Sequence, residues 1–446
     1  MFKRIILYLF ILNIISVNAQ KKWSLDDCIN YANDHNIEII KQQINNNNSK
    51  YDMLSAKGNY LPDASFNASQ GFSLGNSFDV STNVGRRESR FNSFSLSSSA
   101  NLFNGFSNKF KLEQAKLNIE KGEANLDKIK FDVSINITNA YLQVLFSKEI
   151  LNVAEEQVLI STSNYNRLQK LFKNALVSKK EILEIESILA VDQKEVIIAE
   201  NNLKTNTIKL KELLGLKDND NFEIDTIEFE DEEIRLLAPV KSEIIGTALN
   251  SNPLLKLSKL EVSIQEEKIK LAKAAFLPKV NFNYSYSSNY YHLQGTQDRV
   301  FNQTTSEWID NGFLTQLENN KTHYIGISAS IPIFNRFNSK VNYAKSKEDL
   351  KLYKAELKNT KFLLNNIIEI AVNDSESAKA SLAASKIAFK TQKEAFDIAQ
   401  KNYTLGNLRN FEFLESKSKY IQRSSELIKA KYDYFFKLKI VEYYGN

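Results

Sequence analysis

The chain has 446 residues, of which 43% are apolar and 25% are charged, as in an ordinary folded protein. A formal net charge of +5, spread evenly along the chain, is too small to indicate a nucleic-acid-binding protein. The single cysteine, Cys28, excludes an internal disulfide, and five prolines and thirteen glycines favour long uninterrupted elements over a loop-rich fold.

Residues 1–19 are expected to be a secretory signal peptide. Lys3 and Arg4 precede a short apolar run, and Val17 and Ala19 fit the small-residue pattern of a cleavage site. The alternative is an N-terminal membrane anchor, but the run is shorter than the ~20 residues needed to span a bilayer. We therefore expect an exported chain that enters a membrane only through β-strands. Cys28 lies too far past the cleavage point to carry a lipid, so we expect a small buried side chain there.

An internal duplication organises the rest of the sequence. The matching segments are 28–36 with 244–252, Leu61 and Pro62 with Leu277 and Pro278, and "LFNGFSNK" at 102–109 with "IFNRFNSK" at 333–340. The offset is 216 for the first two matches and 231 for the third, so an insertion of 15 residues lies between the Leu-Pro and Phe-Asn motifs of the second half. Two fixed offsets indicate two copies of one structural unit.

Each copy is predicted to contain a helix, two strands, a very long helix and a return helix. In the first repeat, residues 20–215, these lie at about 25–59, 64–74, 94–103, 106–172 and 179–214. In the second repeat, residues 241–446, they lie at about 241–275, 280–290, 324–334, 338–403 and 410–442. The acidic segment 216–240 has no helical period and is predicted to connect the repeats.

The four strands have faces of different chemistry. In the first, Phe66 and Ala68 alternate with Ser65, Asn67 and Ser69. Alternation over about 10 residues between apolar side chains and small uncharged ones is typical of a strand between lipid and water. The alternative is a soluble, half-buried sheet, but such sheets usually carry charged residues on the wet face. Four strands cannot close a barrel with no exposed edge, whereas three chains would supply twelve.

The long helices are the second notable feature. From Ser107 to Phe172 there is no proline, and about 66 residues at 1.5 Å each make a rod of roughly 100 Å. Apolar residues recur at spacings of three and four, with charged residues between them. A plain coiled-coil stalk is the alternative, but a stalk would not explain strands that interrupt both repeats at matching places.

The sequence resembles the TolC family of outer-membrane efflux proteins. The resemblance covers essentially the whole mature chain and is carried by "WSLDDCINYANDHN", the paired Leu-Pro motifs, "LFNGF" and "IFNRF", and "YTLGNLRNFEFLE" near the C-terminus. It implies a mixed α/β membrane protein, in which a homotrimer pools four strands per chain into a 12-stranded outer-membrane barrel. It also implies a periplasmic helical tunnel that joins the barrel at Leu61, Pro62, Leu277 and Pro278, and that docks with a periplasmic adaptor and an inner-membrane pump.

The resemblance also assigns residues to the tip of the tunnel. Tyr403 and Gly406 match a tyrosine and a glycine of the family. Glu412 and Glu415 fall where acids form constricting rings, and Glu181 is the matching acid of the first repeat. The chain departs from the pattern at Ala175, where glycine is frequent, and at Arg409, which lies one residue later than the family's arginine. A gating role for Arg409 is therefore left open.

The spacing of the acidic residues supports a pore independently of the family resemblance. Glu412 and Glu415 are three residues apart, as are Glu181 and Glu184, so each pair shares a helix face. In a trimer each position would bring three carboxylates to one level, which attracts cations. The alternative is a solvated outer helix face. Apolar residues at the turns, Leu176, Val177 and Leu408, are candidate adaptor contacts, or else they cap the helical hairpins locally.

The chain is not expected to be an enzyme. Its three histidines, His35, His292 and His323, lie near no nucleophile arrangement, and the sequence has no zinc, dinucleotide or P-loop motif. We expect no cofactor or metal, so the energy for transport would come from a partner. Two functions are compared: a trimeric exit duct, and a structural or adhesive coiled-coil surface protein without a pore. The sequence does not choose between efflux of small molecules and secretion of proteins.

Overall fold

The structure is a computed structural model that describes residues 22–74, 78–79, 84–85, 88–217, 222–226 and 241–445. The expected signal peptide, residues 1–19, and most of the connecting segment 216–240 lie outside the described residues. Within the part that is described, no helix has an apolar stretch long enough to cross a membrane.

The elements follow the duplicated order. The first repeat contains α1 (Leu25–His35), α2 (Ile37–Gly58), β1 (Ser65–Ser73), β2 (Phe78–Asp79), β3 (Val84–Gly85), β4 (Ser89–Asn104), α3 (Ser107–Lys173) and α4 (Lys179–Leu214). The second contains α5 (Lys241–Ser251), α6 (Pro253–Ala274), β5 (Lys279–Leu293), β6 (Arg299–Asn302), β7 (Glu307–Asp310), α7 (Phe313–Asn319), β8 (Thr322–Ser330), α8 (Asn338–Thr404) and α9 (Asn410–Gly445).

The first helix of each repeat is divided by an asparagine. Asn36 separates α1 from α2, and Asn252 separates α5 from α6, at the offset of 216 seen in the sequence. The Oδ1 atom of Asn36 accepts from the Glu38 amide at 2.9 Å, and that of Asn252 accepts from the Leu254 amide at 3.0 Å. Each side chain thus caps the helix that follows it. The single helices expected over 25–59 and 241–275 are corrected accordingly.

Both Leu-Pro motifs lie in a tight turn between a helix and a strand. The Leu61 amide donates to the Gly58 carbonyl at 2.9 Å, and the Leu277 amide donates to the Ala274 carbonyl at 3.1 Å. The proline that follows has no amide to continue the helix and disfavours a helical conformation in the leucine before it. Strand β5 begins directly after Pro278, and β1 begins at Ser65, three residues after Pro62.

Four strands form one antiparallel sheet in the order β1-β4-β5-β8. Phe66 lies opposite Leu96, which lies opposite Tyr286; farther along, Ala100 lies opposite Phe282, which lies opposite Ile327. On the other face the polar residues are aligned in the same way: Ser65 lies opposite Ser97, which lies opposite Ser285, which lies opposite Tyr324. The alternation in each strand therefore adds up to one apolar face and one largely uncharged polar face. Strand β8 ends at Ser330 and not at residue 334, because Pro332 cannot donate to the ladder.

The Phe-Asn motifs form the turns from strand to long helix. Gly105 and Phe106 have positive φ angles of 66° each, and at the offset of 231 Arg336 and Phe337 have φ angles of 57° and 63°. The preceding asparagine caps the helix in both copies: Asn104 accepts from the Asn108 amide at 3.3 Å, and Asn335 accepts from the Ser339 amide at 3.4 Å. The repeated motif thus encodes a repeated turn.

The chain divides into two compact units. The sheet unit comprises Asn46–Gly122 and Lys259–Glu356, and the helical unit comprises the described residues of Met1–Asn45, Glu123–Ser258 and Leu357–Asn446. The largest core of the helical unit joins α1, α3, α4 and α9 around Ile137, Tyr141 and Leu210. Cys28 is fully buried in this core, as expected, and burial raises the pKa of its thiol to about 12.

The segment between β5 and β8, within which the predicted insertion of 15 residues falls, is folded. Residues 294–321 contain the hairpin β6–β7 and the short helix α7, in a stretch where the sequence shows no clear period. The side chain of Gln316 accepts from the Tyr291 amide at 2.9 Å and donates to the Tyr291 carbonyl at 3.0 Å. Asn320 donates to the Asn289 carbonyl at 2.7 Å. Strand β8 pairs with β5 only as far as Ser287. Beyond that point, the side-chain amides of Gln316 and Asn320 bond to the backbone of β5 in place of a neighbouring strand.

Candidate functional site: the tips of the helical hairpins

Two helical hairpins carry most of the residues assigned to the tip. Helices α3 and α4 are joined by residues 174–178, and α8 and α9 by residues 405–409. Ala175 has a φ angle of 57° and Gly406 one of 81°, again at the offset of 231. The Leu176 amide donates to the Leu171 carbonyl at 3.0 Å, and the Asn407 amide donates to the Asn402 carbonyl at 2.9 Å. Both long helices therefore end in the same left-handed motif, which explains why glycine suits position 175.

The first acid of each hairpin caps a helix. Glu181 accepts from the Ser178 amide at 2.8 Å and the Ser178 hydroxyl at 2.9 Å, while the Glu181 amide donates back to that hydroxyl. In the second hairpin the Arg409 amide donates to the Glu412 carboxylate at 3.3 Å. The bonds from Ser178 hold the pKa of Glu181 below its usual value. Both carboxylates thus stabilise a helix N-terminus.

Each of the remaining acidic positions has a basic neighbour on its own helix. Lys180 lies 3.6 Å from Glu184, and Lys419 lies 2.7 Å from Glu415. The Arg409 guanidinium also lies 3.5 Å from the Glu412 carboxylate. These side chains remain partly or largely in contact with solvent, where such pairs contribute little stability. The three carboxylates are therefore accessible to solvent at the hairpin tips.

Tyr403 is buried between the two hairpins. Its hydroxyl donates to Asn164 Oδ1 at 2.7 Å, its ring stacks on Phe413 at 4.4 Å between centroids, and the Arg167 guanidinium lies 4.4 Å from the ring centre. Burial raises the pKa of the Tyr403 phenol, and the negative charge of Glu181 raises it further. The positive charge of Arg167 and the hydrogen bond to Asn164 act in the opposite direction, but the pKa remains above its usual value. The tyrosine therefore joins α3 to α8 and lies within electrostatic range of Glu181.

The apolar residues of the turns differ in exposure. Leu176 is 68% exposed, whereas Val177 packs with Leu168 and Ile182, and Leu408 packs with Tyr403 and Phe413. Local packing of the hairpin thus accounts for Val177 and Leu408. Two further exposed residues, Leu405 at 66% and Phe411 at 75%, were not among the candidates. Both are apolar residues at or beside a turn, and this position could have identified them from the sequence as candidates for exposed contacts.

A buried ion pair lies farther along the same hairpins. Lys417 donates to Asp192 at 2.6 Å and to the Ser161 hydroxyl at 2.5 Å, and Gln157 donates to Asp192 at 2.5 Å. Ser161 also donates to Asp192. Burial lowers the pKa of the Lys417 ammonium, an effect that the bond to Asp192 opposes. The cluster joins α3, α4 and α9. Its signal in the sequence was the position of Lys417, four residues after Phe413 and three before Tyr420, which places it on the same helix face as these apolar side chains.

The tip residues stabilise the two hairpins or face solvent. Among the described residues, no group of three or more His, Cys, Asp or Glu side chains is placed to hold a metal ion. The acids cap helices or face solvent, and the tyrosine joins helices.

Comparisons with known proteins give a consistent result. The family model for the outer membrane efflux protein matches residues 29–216 and 244–435, one segment in each repeat. None of the curated proteins compared matches the chain.

Several solved structures have the same fold. The outer membrane protein VceC of Vibrio cholerae is 14% identical, with a TM-score of 0.73 over 95% of this chain and 96% of that one. The CmeC channel of Campylobacter jejuni is 16% identical, with a TM-score of 0.78 over 94% and 85%. The open state of the MtrE channel of Neisseria gonorrhoeae is 15% identical, with a TM-score of 0.72 over 94% and 88%.

The family match also confirms three expectations from the sequence. The protein is an outer-membrane channel and not an enzyme, its location is the outer membrane with a periplasmic helical part, and its two repeats each match the same model. Because the model covers most of both repeats, the chain belongs to the outer membrane efflux protein family.

Proposed function

We propose that the protein is a passive, trimeric exit duct of a tripartite efflux or type I secretion system. In this role it would receive small molecules or proteins from an inner-membrane pump and a periplasmic adaptor, and release them outside the cell. The observation that carries the proposal is the four-stranded sheet, in which one face is apolar and the other is lined by Ser, Asn and Gly. That pair of surfaces suits a wall between lipid and a water-filled lumen.

The sheet supports a trimer because of its edges. In the described sheet β1 and β8 are the outer strands, so each is bonded to a neighbour on one side. An open strand edge in lipid leaves backbone amides and carbonyls without partners, at several kcal/mol per group. Pairing β8 of one copy with β1 of the next removes these edges. Three copies would then form a closed barrel of twelve strands, which is wide enough for a lumen.

The hairpin tips support docking and selectivity. Leu176, Leu405 and Phe411 are exposed apolar side chains beside the two turns, and we assign them, together with Gly406 and Arg409, to the contact with the adaptor. Ala175 and Val177 belong to the same tip, Val177 mainly through packing in its own hairpin. We assign Glu412 and Glu415, with Glu181 and Glu184, to acidic rings at the constriction, where Tyr403 braces the helices behind them.

Single-channel recording tests the duct. Protein extracted from outer membranes in detergent is expected to migrate as a heat-sensitive trimer and to open steps of conductance in planar bilayers. A protein that stays soluble without detergent and opens no pore would instead be a coiled-coil surface protein, which would overturn the proposal.

The acidic rings have a separate test. Replacing Glu412 and Glu415 by glutamine is expected to weaken the block of conductance by divalent cations, because the charge that attracts them is gone. Glu426→Gln is the matched control, since Glu426 lies on the same helix and pairs with Arg423 at 2.5 Å as Glu412 pairs with Arg409. Equal block in the ring variant and the control would place the acids off the pore.

A further inference from the structure

The insert at residues 294–321 exposes an unusual amount of apolar surface. In its hairpin, Phe301 lies opposite Trp308 on one face, and Val300 lies opposite Ile309 on the other. All four are exposed, Trp308 by 64%, and Leu314 on α7 is 78% exposed. On each face the apolar pair lies beside a polar pair, Arg299 opposite Asp310 or Asn302 opposite Glu307. Exposed apolar pairs next to charged residues suit the boundary between lipid and water.

The insert lies on the apolar face of the sheet. Phe313 of α7 packs on Phe94 and Tyr290, with centroid distances of 6.4 and 5.1 Å, and Ser288 donates to the Leu317 carbonyl at 2.6 Å. Phe94 lies opposite Ser288, on the same face as Leu96 and Phe66. The helix therefore covers the end of the surface that the duct presents to lipid.

The base of the hairpin is fixed to this face as well. Asp298 accepts from the Tyr290 hydroxyl at 2.7 Å and lies 2.6 Å from the His292 ring nitrogen, while Arg90 lies 5.5 Å from the centre of the Tyr290 ring. Tyr290 and His292 follow Ser288 at alternate positions and so share its face of the sheet. The hairpin thus leaves the sheet on the apolar side, with a polar cluster at its base.

We propose that residues 294–321 lie against the outer leaflet of the membrane, with Trp308, Phe301 and Leu314 in contact with lipid near the headgroups. Three features support a lipid surface as the occupant. The insert is continuous with the apolar face of the sheet, each face of the hairpin carries an exposed apolar pair, and the hairpin carries a tryptophan, which favours the membrane–water interface. The insert would hold the barrel at a fixed depth. This inference rests on the proposed duct, whose apolar face it extends.

Trp308 is also the means of testing it. The chain has two tryptophans, so Trp23→Phe leaves Trp308 as the single reporter. This protein is placed in phospholipid vesicles whose acyl chains are brominated close to the headgroup. We expect Trp308 to lose most of its emission relative to unbrominated vesicles, and to resist quenching by aqueous acrylamide. If Trp23→Phe does not fold, the difference between the natural chain and Trp308→Phe gives the same signal.

Two results would overturn the inference. Emission that acrylamide quenches and brominated lipid does not would place Trp308 in water. Emission that neither quenches would place it against protein, such as the same insert of a neighbouring copy.

A second reporter separates this inference from the duct itself. Phe66→Trp in a chain with Trp23→Phe and Trp308→Phe places the probe on the apolar face of β1, away from the insert. Lipid quenching at residue 66 but not at residue 308 would overturn the membrane contact of the insert and leave the duct standing. Absence of lipid quenching at both positions would overturn the lipid-facing sheet, and the inference with it.

Discussion

At the scale of single residues, the duplication provides a matched pair at positions 175 and 406. Both residues have left-handed φ angles, but only position 406 has glycine. A side chain in this conformation is strained, so we expect Ala175→Gly to stabilise the first turn by about 1 kcal/mol and Gly406→Ala to destabilise the second by a similar amount. A Cβ atom at Gly406 would meet nothing within 4 Å, so the cost there is backbone strain alone.

Amide hydrogen exchange at Leu176 and Asn407 measures these changes, because both amides close the turns. Slower exchange at Leu176 in Ala175→Gly, with unchanged exchange at Asn407, is the expected pattern. Changes of the same sign in the two variants would show that the φ angle is not the cause.

The capping bonds of Glu181 make the first hairpin sensitive to acid. The pKa of Glu181 is lowered in the folded chain by the Ser178 bonds, so its contribution is present above the unfolded value near 4.5 and is lost as the pH falls through the lower folded value. A nitroxide at Lys179→Cys should therefore become more mobile in acid. Cys28 is buried and its raised pKa keeps its thiol unreactive, so the label is selective. In Ser178→Ala the transition should move toward the ordinary glutamate pKa; an unchanged midpoint would contradict the assignment.

At the scale of elements, the buried pair of Lys417 and Asp192 decides how α3, α4 and α9 hold together. Lys417→Met leaves the Asp192 carboxylate buried with only Gln157 and Ser161 as donors, which should cost about 3–5 kcal/mol. Lys417→Met combined with Asp192→Leu removes both charges and should recover most of that loss. The midpoint of thermal unfolding in detergent measures the difference, and a double variant no better than the single one would contradict this account.

The same elements show what the sequence could predict. The ends of α3, α4, α8 and α9 that meet at the hairpin turns were predicted to within one residue, and Ser178 and Gly406 supply local cap and turn signals there. The breaks at Asn36 and Asn252 were not predicted, since one asparagine side chain outweighs a continuing apolar period. The fold of residues 294–321 was not predicted either, because it depends on contacts of Gln316 and Phe313 with residues of β5 that lie more than 20 positions earlier in the chain. Lys417 was overlooked because its charge suggested an exposed position.

At the scale of the whole molecule, the alternation within each strand produces two distinct faces only because the register aligns apolar residues with apolar residues across neighbouring strands. Ile327 and Ser328 are neighbours on β8, but Ile327 lies opposite Phe282 on the apolar face and Ser328 opposite Asn281 on the polar face. Both side chains are exposed in the single chain. Introducing a lysine at one position or the other therefore tests the surroundings of each face of the sheet at nearly the same height.

Ile327→Lys should reduce the amount of folded channel in the outer membrane, because a lysine facing lipid near the bilayer centre costs about 2–4 kcal/mol. Ser328→Lys should assemble normally, since its ammonium would reach the water of the lumen, and should shift ion selectivity toward anions. The amount of the proposed heat-sensitive trimer in outer-membrane fractions measures the first effect, and reversal potentials in bilayers measure the second. Equal loss of assembly in both variants would mean that the two faces have similar surroundings, and a normal Ile327→Lys channel with altered selectivity would mean that the faces are reversed.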